Sequence, residues 1–282
     1  MEGAREKVSV RPSTRELPRR VRLVRSGLWD VSHTVEIALF TIADRPPERR
    51  RPGRPPKELR VLLVRRSTEP WQGWWALPSA PVGVRESFQE AAYWELGRRV
   101  GLKGPIYLEQ LRTYDDPYRN PLRRTIATAY MGLVAPTDYG PTAPDAAWFP
   151  VDHLPPAPVP GSDRRFALDH DQILSDALQR LRNKVDYTLL AFCLLPEEFT
   201  MSELRQVYEA ILDEDLGTYD ERRKANFQRS IHLLNERVGR LMEARTGQYQ
   251  PPLVKTGKKR KGARGPAADL YRFQGDFTLI TK

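Results

Sequence analysis

The sequence predicts an α/β sandwich followed by a smaller, mostly helical domain that ends in a hairpin. Three observations carry this expectation. Over residues 33–182, apolar β-branched runs alternate with helical patterns. Near 183 the pattern changes to successive helical runs and then two short strand-like pieces. Charge also separates by sign within the second half. At 282 residues the chain is long enough for two domains, each with its own core.

Residues 1–32 carry eight Lys/Arg and four acids with little apolar periodicity, and read as a mobile basic arm with a short ordered end at "SGLWDV". "HTVEIALFTI" (33–42) and "LRVLLVRR" (59–66) read as strands. The "ADRPPERRRPGRPPKE" between them holds five prolines and Arg49-Arg50-Arg51, and reads as a solvated hairpin loop. In "ESFQEAAYWELGRRV" (86–100), Phe88, Ala92, Leu96 and Val100 mark one buried helical face, and Gly101 supplies the stop. "TIATAYMGLV" (125–134) is a further strand, "AAWFPVDHLP" (146–155) a strand leading into a turn, and 163–182 a helix.

From 183 to 282 the order is "VDYTLLAFCLL", "FTMSELRQVYEAIL" and a long helical run after 219. Thr200 and Glu203 fit a capping box, and Phe199 with Leu204 a hydrophobic staple. Phe227, Ile231, Leu234, Val238 and Leu241 form one stripe of the long helix. "PPLVKT" (251–256) and "ADLYRF" (268–273) flank a loop with Lys258, Lys259, Arg260, Lys261 and Arg264. Three helices followed by a basic hairpin is the order of a winged helix-turn-helix.

The formal net charge of +10 points to a polyanionic partner, or else to a basic but inert surface. No apolar run approaches the ~18 residues a membrane span needs. The N-terminus has no apolar segment of the secretory kind. The single Cys193 sits in "LLAFCLL" and reads as a small core residue. The expected location is the cytoplasm. His33, His153, His170 and His232 show no ligand-like spacing, so no metal site is expected on them.

The first domain resembles the Nudix family, whose signature is G-x5-E-x7-R-E-U-x-E-E-x-G-U, with U apolar. Aligned on Gly101-Leu102, residues Glu86, Glu95, Leu96, Gly101 and Leu102 match. Ala80 stands for the first glycine, Trp94 for the arginine, and Arg98 and Arg99 for the final glutamates. The preceding "WWALPSAPVG" is similar to the family's W-x-L-P-G-G segment.

That resemblance implies a box whose glutamates hold divalent metal on a diphosphate. Mg²⁺ needs hard anionic oxygens; arginine offers no acceptor and keeps its charge. Metal-dependent hydrolysis at this box is therefore expected to be absent or very poor, with no catalytic residue, metal or required cofactor. Two readings of the arginines stay open. They pair with phosphate directly, or they bridge to Glu95 three and four residues earlier.

Pro117 follows the box-ending Leu102 at a spacing similar to that of ADP-ribose pyrophosphatases. "LRTYDDPYRNPLRRTIATAY" (111–130) resembles the matching segment of Nudix-derived regulators. The implied ligand is ADP-ribose or a related NAD-type dinucleotide, and the implied ligand-binding set is Glu86, Glu95, Arg98, Arg99, Tyr114 and Pro117. Unaided by the resemblance, "DDPYRNP" reads as an ordinary Pro/Asx turn.

Residues 197–221 hold nine acids and one arginine, whereas 222–272 hold fourteen Lys/Arg and three acids. Such segregation fits a face pressed on a polyanion. Arg222, Arg223, Lys224, Asn226 and Arg229 begin the long helix, where a recognition helix meets base edges. The hairpin lysines and arginines would ride phosphates. RNA fits the charge equally; helix order and sparse aromatics favour duplex DNA.

Over 33–280 the chain resembles the Nudix-related transcriptional regulators of NAD metabolism, through "LLPEEFTMSELRQVYEAIL", "NFQRSI" and "GPAADLYRF". "GTYDERRKANF" departs from them in length. The resemblance implies a homodimeric repressor on a palindromic operator, with a nucleotide effector. The alternatives are a Nudix hydrolase, or an RNA-binding or scaffold protein on a vestigial Nudix fold.

Overall fold

The computed structural model describes residues 31–275, except 50–55, 102–105, 137–140, 160–161, 163, 215, 218–220 and 262–265. The basic arm before residue 31, most of the Pro/Arg loop, and Arg264 thus lie outside the described residues.

The first domain is built on one mixed sheet. Its strands are β1 (Ser32–Asp44), β2 (Lys57–Arg65), β3 (Trp75–Ala76), β4 (Ser79–Pro81), β5 (Tyr107–Tyr114), β6 (Thr125–Leu133) and β7 (Ala146–Pro150). The main path runs β3-β2-β1-β6-β5, with β4 on β1 and β7 on β2. β1 and β6 are parallel, in register from Ser32↔Thr125 to Phe40↔Leu133. Val35–Ile42 are all buried, as a strand covered on both faces must be. Alternation then sorts them: Val35, Ile37 and Leu39 face one layer, Ala38, Phe40 and Ile42 the other.

Helix α1 (Phe88–Val100) covers the Val35/Ile37/Leu39 face through Ala91, Ala92, Leu96 and Val100. Phe88, expected on that face, is 36 % exposed and stacks on His33, centroids 6.2 Å apart; it sits where the helix leaves the sheet edge. Helix α2 (His170–Val185) covers the opposite face with Ile173, Leu174, Ala177 and Leu181. It begins at His170 rather than 163, because the preceding segment is an irregular connection.

Three strands were not among those expected. β3 and β4 are too short to leave a pattern, and β5 alternates poorly because Glu109, Gln110 and Arg112 interrupt it. The β1–β2 hairpin is present, closed by Asp44↔Lys57. The described start of its loop is anchored. Pro47–Arg49 form a 3-10 turn, and Arg49 and Arg60 both pair with the buried Glu58, at 2.6 and 2.9 Å.

The second domain has a buried 3-10 turn (Leu190–Leu194) where the first helical run was expected, then β8 (Glu198–Thr200), α3 (Met201–Leu212), α4 (Glu221–Thr246), β9 (Leu253–Arg260) and β10 (Ala268–Phe273). The three strands form a sheet in the order β8-β10-β9. Thr200 caps α3: its hydroxyl accepts from the Glu203 N–H, while the Glu203 carboxylate accepts from the Thr200 N–H at 2.7 Å. Phe192, Phe199, Leu204, Val207 and Ile211 share one apolar cluster with the α2 face of the first domain, so the two units are packed together. On α4, Phe227 and Ile231 are buried as the stripe requires, whereas Leu241 is 55 % exposed, beyond the body of the domain.

Candidate ligand pocket and nucleic-acid interface

The box helix keeps its frame. Ser87 caps α1 in a reciprocal box with Glu90, and Gly101 closes it in the left-handed region at φ 66°. A residue with a Cβ would be strained there.

Its carboxylates are engaged within the protein. Glu95 is fully buried. Its Oε2 accepts from Arg98 Nη2 at 2.8 Å and its Oε1 from Arg99 Nε at 2.8 Å. Arg99 Nη1 also reaches Asp145 Oδ2 at 2.5 Å. Burial alone would lower the Arg99 pKa, but the bonds to Glu95 and Asp145 raise it. Arg98 lies over the Trp94 ring, 5.3 Å from its centroid, so the residue in the signature's arginine position steadies the substituted one. Glu86 accepts the Gly83 N–H at 2.9 Å and closes a turn. These residues do not fit a divalent ion. Glu95 has its oxygens filled, and two guanidiniums stand where anionic ligands are required.

On the α2 face, β5, the 115–124 loop and the start of α2 enclose a cavity of about 340 Å³. Arg112, Tyr114, Tyr118, Arg119, Arg164 and Gln172 contribute to its wall. Tyr114 donates to Asp176 Oδ2 at 2.7 Å, with the Arg112 guanidinium 4.5 Å over its ring. Asp116 accepts the Tyr118 N–H at 2.7 Å in the turn that Pro117 opens, as an Asx turn does.

Arg119 joins this pocket to the core. It is 4 % exposed. Its Nη2 meets both Glu36 oxygens at 2.9 Å and Asp169 Oδ1 at 2.5 Å, and its Nε meets Asp169 Oδ2 at 2.9 Å. Its Nη1 is buried without a hydrogen-bond partner. Burial would raise the Glu36 pKa, but His170 and Arg119 hold it down at about 2, so the carboxylate is anionic.

Glu36, Asp169 and His170 are grouped closely enough for a metal. However, His170 Nδ1 accepts the Leu77 N–H at 2.9 Å. That fixes the proton on Nε2, which lies 2.9 Å from Glu36 Oε2, although the angle is too poor for a good hydrogen bond. With Arg119 between the carboxylates and a protonated Nε2, the group is satisfied by a guanidinium and leaves no open ligand set for a cation.

The expected ligand set is therefore divided. Tyr114 lines the pocket and Pro117 stands between the lining Asp116 and Tyr118 without lining it itself, whereas Glu86, Glu95, Arg98 and Arg99 are not among the lining residues. Helix α1, which carries Glu95, Arg98 and Arg99, and α2, whose start borders the pocket, cover opposite faces of the sheet. Arg119 was not singled out from the sequence. Its partners are 83 and 50 residues away, a separation no local pattern reports.

On α4, Arg222, Asn226 and Arg229 are exposed on one face. At about 100° per residue the same face continues through Arg237 and Arg240, both exposed and both missed by the sequence reading. Extending the helical phase past Leu233 would have found them. Arg223 and Lys224 point away from this face. Arg223 lines a separate cavity, and Lys224 pairs with Glu221 at 3.1 Å.

In the β9–β10 wing, Lys258 pairs with Glu198 at 2.8 Å and Arg260 with Glu203 at 2.9 Å. Lys259 lies 3.9 Å from Asp269. Lys261 is exposed at the end of β9. The wing is thus basic in sequence but partly neutralised in the fold.

Comparison with known proteins agrees with this architecture. Residues 52–169 match the NUDIX domain, and residues 191–273 match the NrtR DNA-binding winged helix domain. The chain is thus a Nudix domain joined to a DNA-binding winged helix domain. It belongs to the NrtR type of Nudix-related transcriptional regulators.

The chain is similar to the ADPR responsive transcriptional repressor NtrR of Acinetobacter baylyi, 28 % identical over 65 % of this chain and 67 % of that one. It is also similar to the ADP-ribose pyrophosphatase of Methanocaldococcus jannaschii, 28 % identical over 44 % of this chain and 68 % of that one. Among solved structures, Shewanella oneidensis NrtR complexed with a 27mer DNA superimposes with a TM-score of 0.62 at 26 % identity. It covers 88 % of this chain and 95 % of that one.

Proposed function

We propose that this chain is a homodimeric transcriptional repressor whose Nudix domain senses ADP-ribose, or a related NAD-type dinucleotide, without cleaving it. The observation that carries the reading is the closed box: Glu95 is buried between Arg98 and Arg99 and cannot present free oxygens to a metal. Sensing is supported by the cavity beside Tyr114 and Pro117. Its volume is within the range of small-molecule sites, and its wall holds Arg112, Arg119 and Arg164 alongside Asp115, Asp116 and Asp169. Arg119 lines the cavity and its buried Nη1 has no hydrogen-bond partner, so a ligand anion that reached it would satisfy that donor. The name of the Acinetobacter relative supports an ADP-ribose-type effector.

DNA recognition rests on the exposed Arg222, Asn226 and Arg229 face of α4 in the DNA-binding domain. Arg suits guanine and Asn suits adenine in the major groove. Lys258, Lys259, Arg260 and Lys261 flank it on the wing. Duplex DNA as partner and a site of action in the cytoplasm, on the nucleoid, follow from this reading. No described helix is long and apolar enough to cross a membrane.

A second reading, hydrolysis, is favoured only by the similarity to a pyrophosphatase. One experiment decides between them. Purified protein is incubated with ADP-ribose and Mg²⁺ or Mn²⁺, and AMP is measured beside direct calorimetric binding. Binding without AMP is the expected outcome; robust turnover that falls in Glu95→Gln would overturn it.

A further inference from the structure

The winged helix domain contains a second cavity, apart from the Nudix pocket, that shares only Asn226 with the proposed DNA-reading face. It occupies about 530 Å³ and lies between the end of α2, the second half of α3 and the inner side of α4. Phe227, Ile231 and Leu234 of α4 give it an apolar floor, and Asp186, Tyr208 and Glu214 bring polar atoms to it.

Tyr208 is the informative member. It is 5 % exposed, packs edge-on against Phe227 with centroids 5.2 Å apart, and its hydroxyl has no hydrogen-bond partner. Native interiors rarely leave a buried hydroxyl unsatisfied. Burial and the nearby Asp186 carboxylate push its pKa up, so the hydroxyl keeps its proton and offers both a donor and an acceptor. Asp186 and Glu214 have no ion-pair partner among the described residues. Arg223 shares the wall but already has an interaction of its own. Asp186 and Glu214 are exposed at the mouth of the cavity, where Arg223, Asn226 and Ser230 also line it. Two carboxylates at the mouth, a buried hydroxyl and an apolar floor suit a cation with a greasy body better than an anion of the same shape.

We propose that this cavity is a second ligand site, distinct from the Nudix pocket, that takes a small organic amine carrying an apolar group. The ammonium meets Asp186, Glu214 and the Tyr208 oxygen, and the apolar group lies on Phe227 and Ile231. Because α4 supplies the long wall, an occupied cavity braces the helix that carries Arg222 and Arg229. That consequence rests on the DNA-binding reading; ligand binding itself does not.

The test uses the full chain with phenethylamine as the probe, and phenylacetate as its counterpart of opposite charge. Saturation-transfer NMR and calorimetry are expected to detect phenethylamine and not phenylacetate. The Asp186→Asn/Glu214→Gln variant is expected to bind phenethylamine at least tenfold more weakly. Tyr208→Phe, which keeps the ring and its contact with Phe227, is expected to bind it severalfold more weakly while unfolding at a temperature close to the parent's. Equal binding of phenylacetate overturns the proposal. So does an undiminished affinity in the folded variants, or no binding of phenethylamine at millimolar concentration. Operator affinity is measured separately. An amine that binds yet leaves DNA affinity unaltered supports the site and overturns the bracing.

Discussion

Glu95 and Arg99 are joined within one turn of the box helix, Oε1 to Nε at 2.8 Å, with the carboxylate fully buried. Arg98 fills the other oxygen. In a metal-holding helix that carboxylate would have to face an ion. Removing its charge should leave Arg99 with Asp145 as its remaining carboxylate partner and Arg98 with none among the described contacts. Breaking a buried pair from one side costs about 3–5 kcal/mol, reduced here because Arg98 is half exposed. Glu95→Gln is therefore expected to lower the denaturant midpoint by the equivalent of about 2–4 kcal/mol. A change within experimental error would mean that the pair is incidental.

Restoring the box should recreate its old requirement. Arg98→Glu/Arg99→Glu places two carboxylates beside Glu95 and near Asp145, where like charges repel. The double variant is expected to be less stable than the parent in chelator and to regain stability on adding Mg²⁺ or Mn²⁺, as metal binding to the folded state demands. Thermal unfolding with and without metal measures this, and the parent should show no such dependence.

The Glu36 carboxyl predicts an acid limb. Its pKa is held at about 2, below its ordinary value of 4.5, by His170 and Arg119 despite burial. A depressed carboxyl contributes stability that is complete above its unfolded pKa and is lost as pH falls through the folded one. Stability should thus decline between pH 4.5 and about 2. Glu36→Gln should remove this part of the slope while lowering stability at neutral pH. Urea titrations across that range read both effects.

The α4 face predicts two kinds of DNA variant. Arg229→Ala should cost about 1–3 kcal/mol and relax base preference at one operator position if it reads a base edge. Arg237→Ala/Arg240→Ala should weaken binding uniformly across sequences. It should also flatten the log affinity against log salt plot by about 1 per lost phosphate contact. Fluorescence anisotropy with labelled duplex, at several stated salt concentrations, separates the two patterns. Arg223→Ala, off that face, should leave the salt slope unchanged.

Much of the fold was legible because local rules and burial coincide in it. The apolar run through Ile42, the Thr200–Glu203 capping box and Gly101 at a left-handed cap all carry their own signatures. Ser87 and Glu90 form a second capping box that the sequence also announces and that went unread. β5 escaped because it lies between polar neighbours and its pairing is broken by an irregularity between Gln110 and Arg112. The candidate site was half legible. The inverted charge at Arg98 and Arg99 is visible in the sequence, and the structure pairs both with Glu95. Arg119 was invisible because its role depends on Glu36 and Asp169, brought to it only by the folded sheet and the start of α2. On α4, the basic cluster at 222–224 is compact in sequence but spread around the helix in space. Counting charges therefore groups Arg223 and Lys224 with Arg222, although the helix turns them away from it, and does not bring out Arg240 on the Arg222 face.

The central claim is that one chain couples an uncleaved dinucleotide to DNA. Its most direct measurement is the affinity of the intact protein for its operator duplex, followed by anisotropy at fixed salt while ADP-ribose is titrated. A several-fold or larger change in affinity that saturates with ligand, with ADP-ribose recovered intact, is the predicted result. An operator affinity that stays constant while calorimetry shows the ligand bound would contradict it.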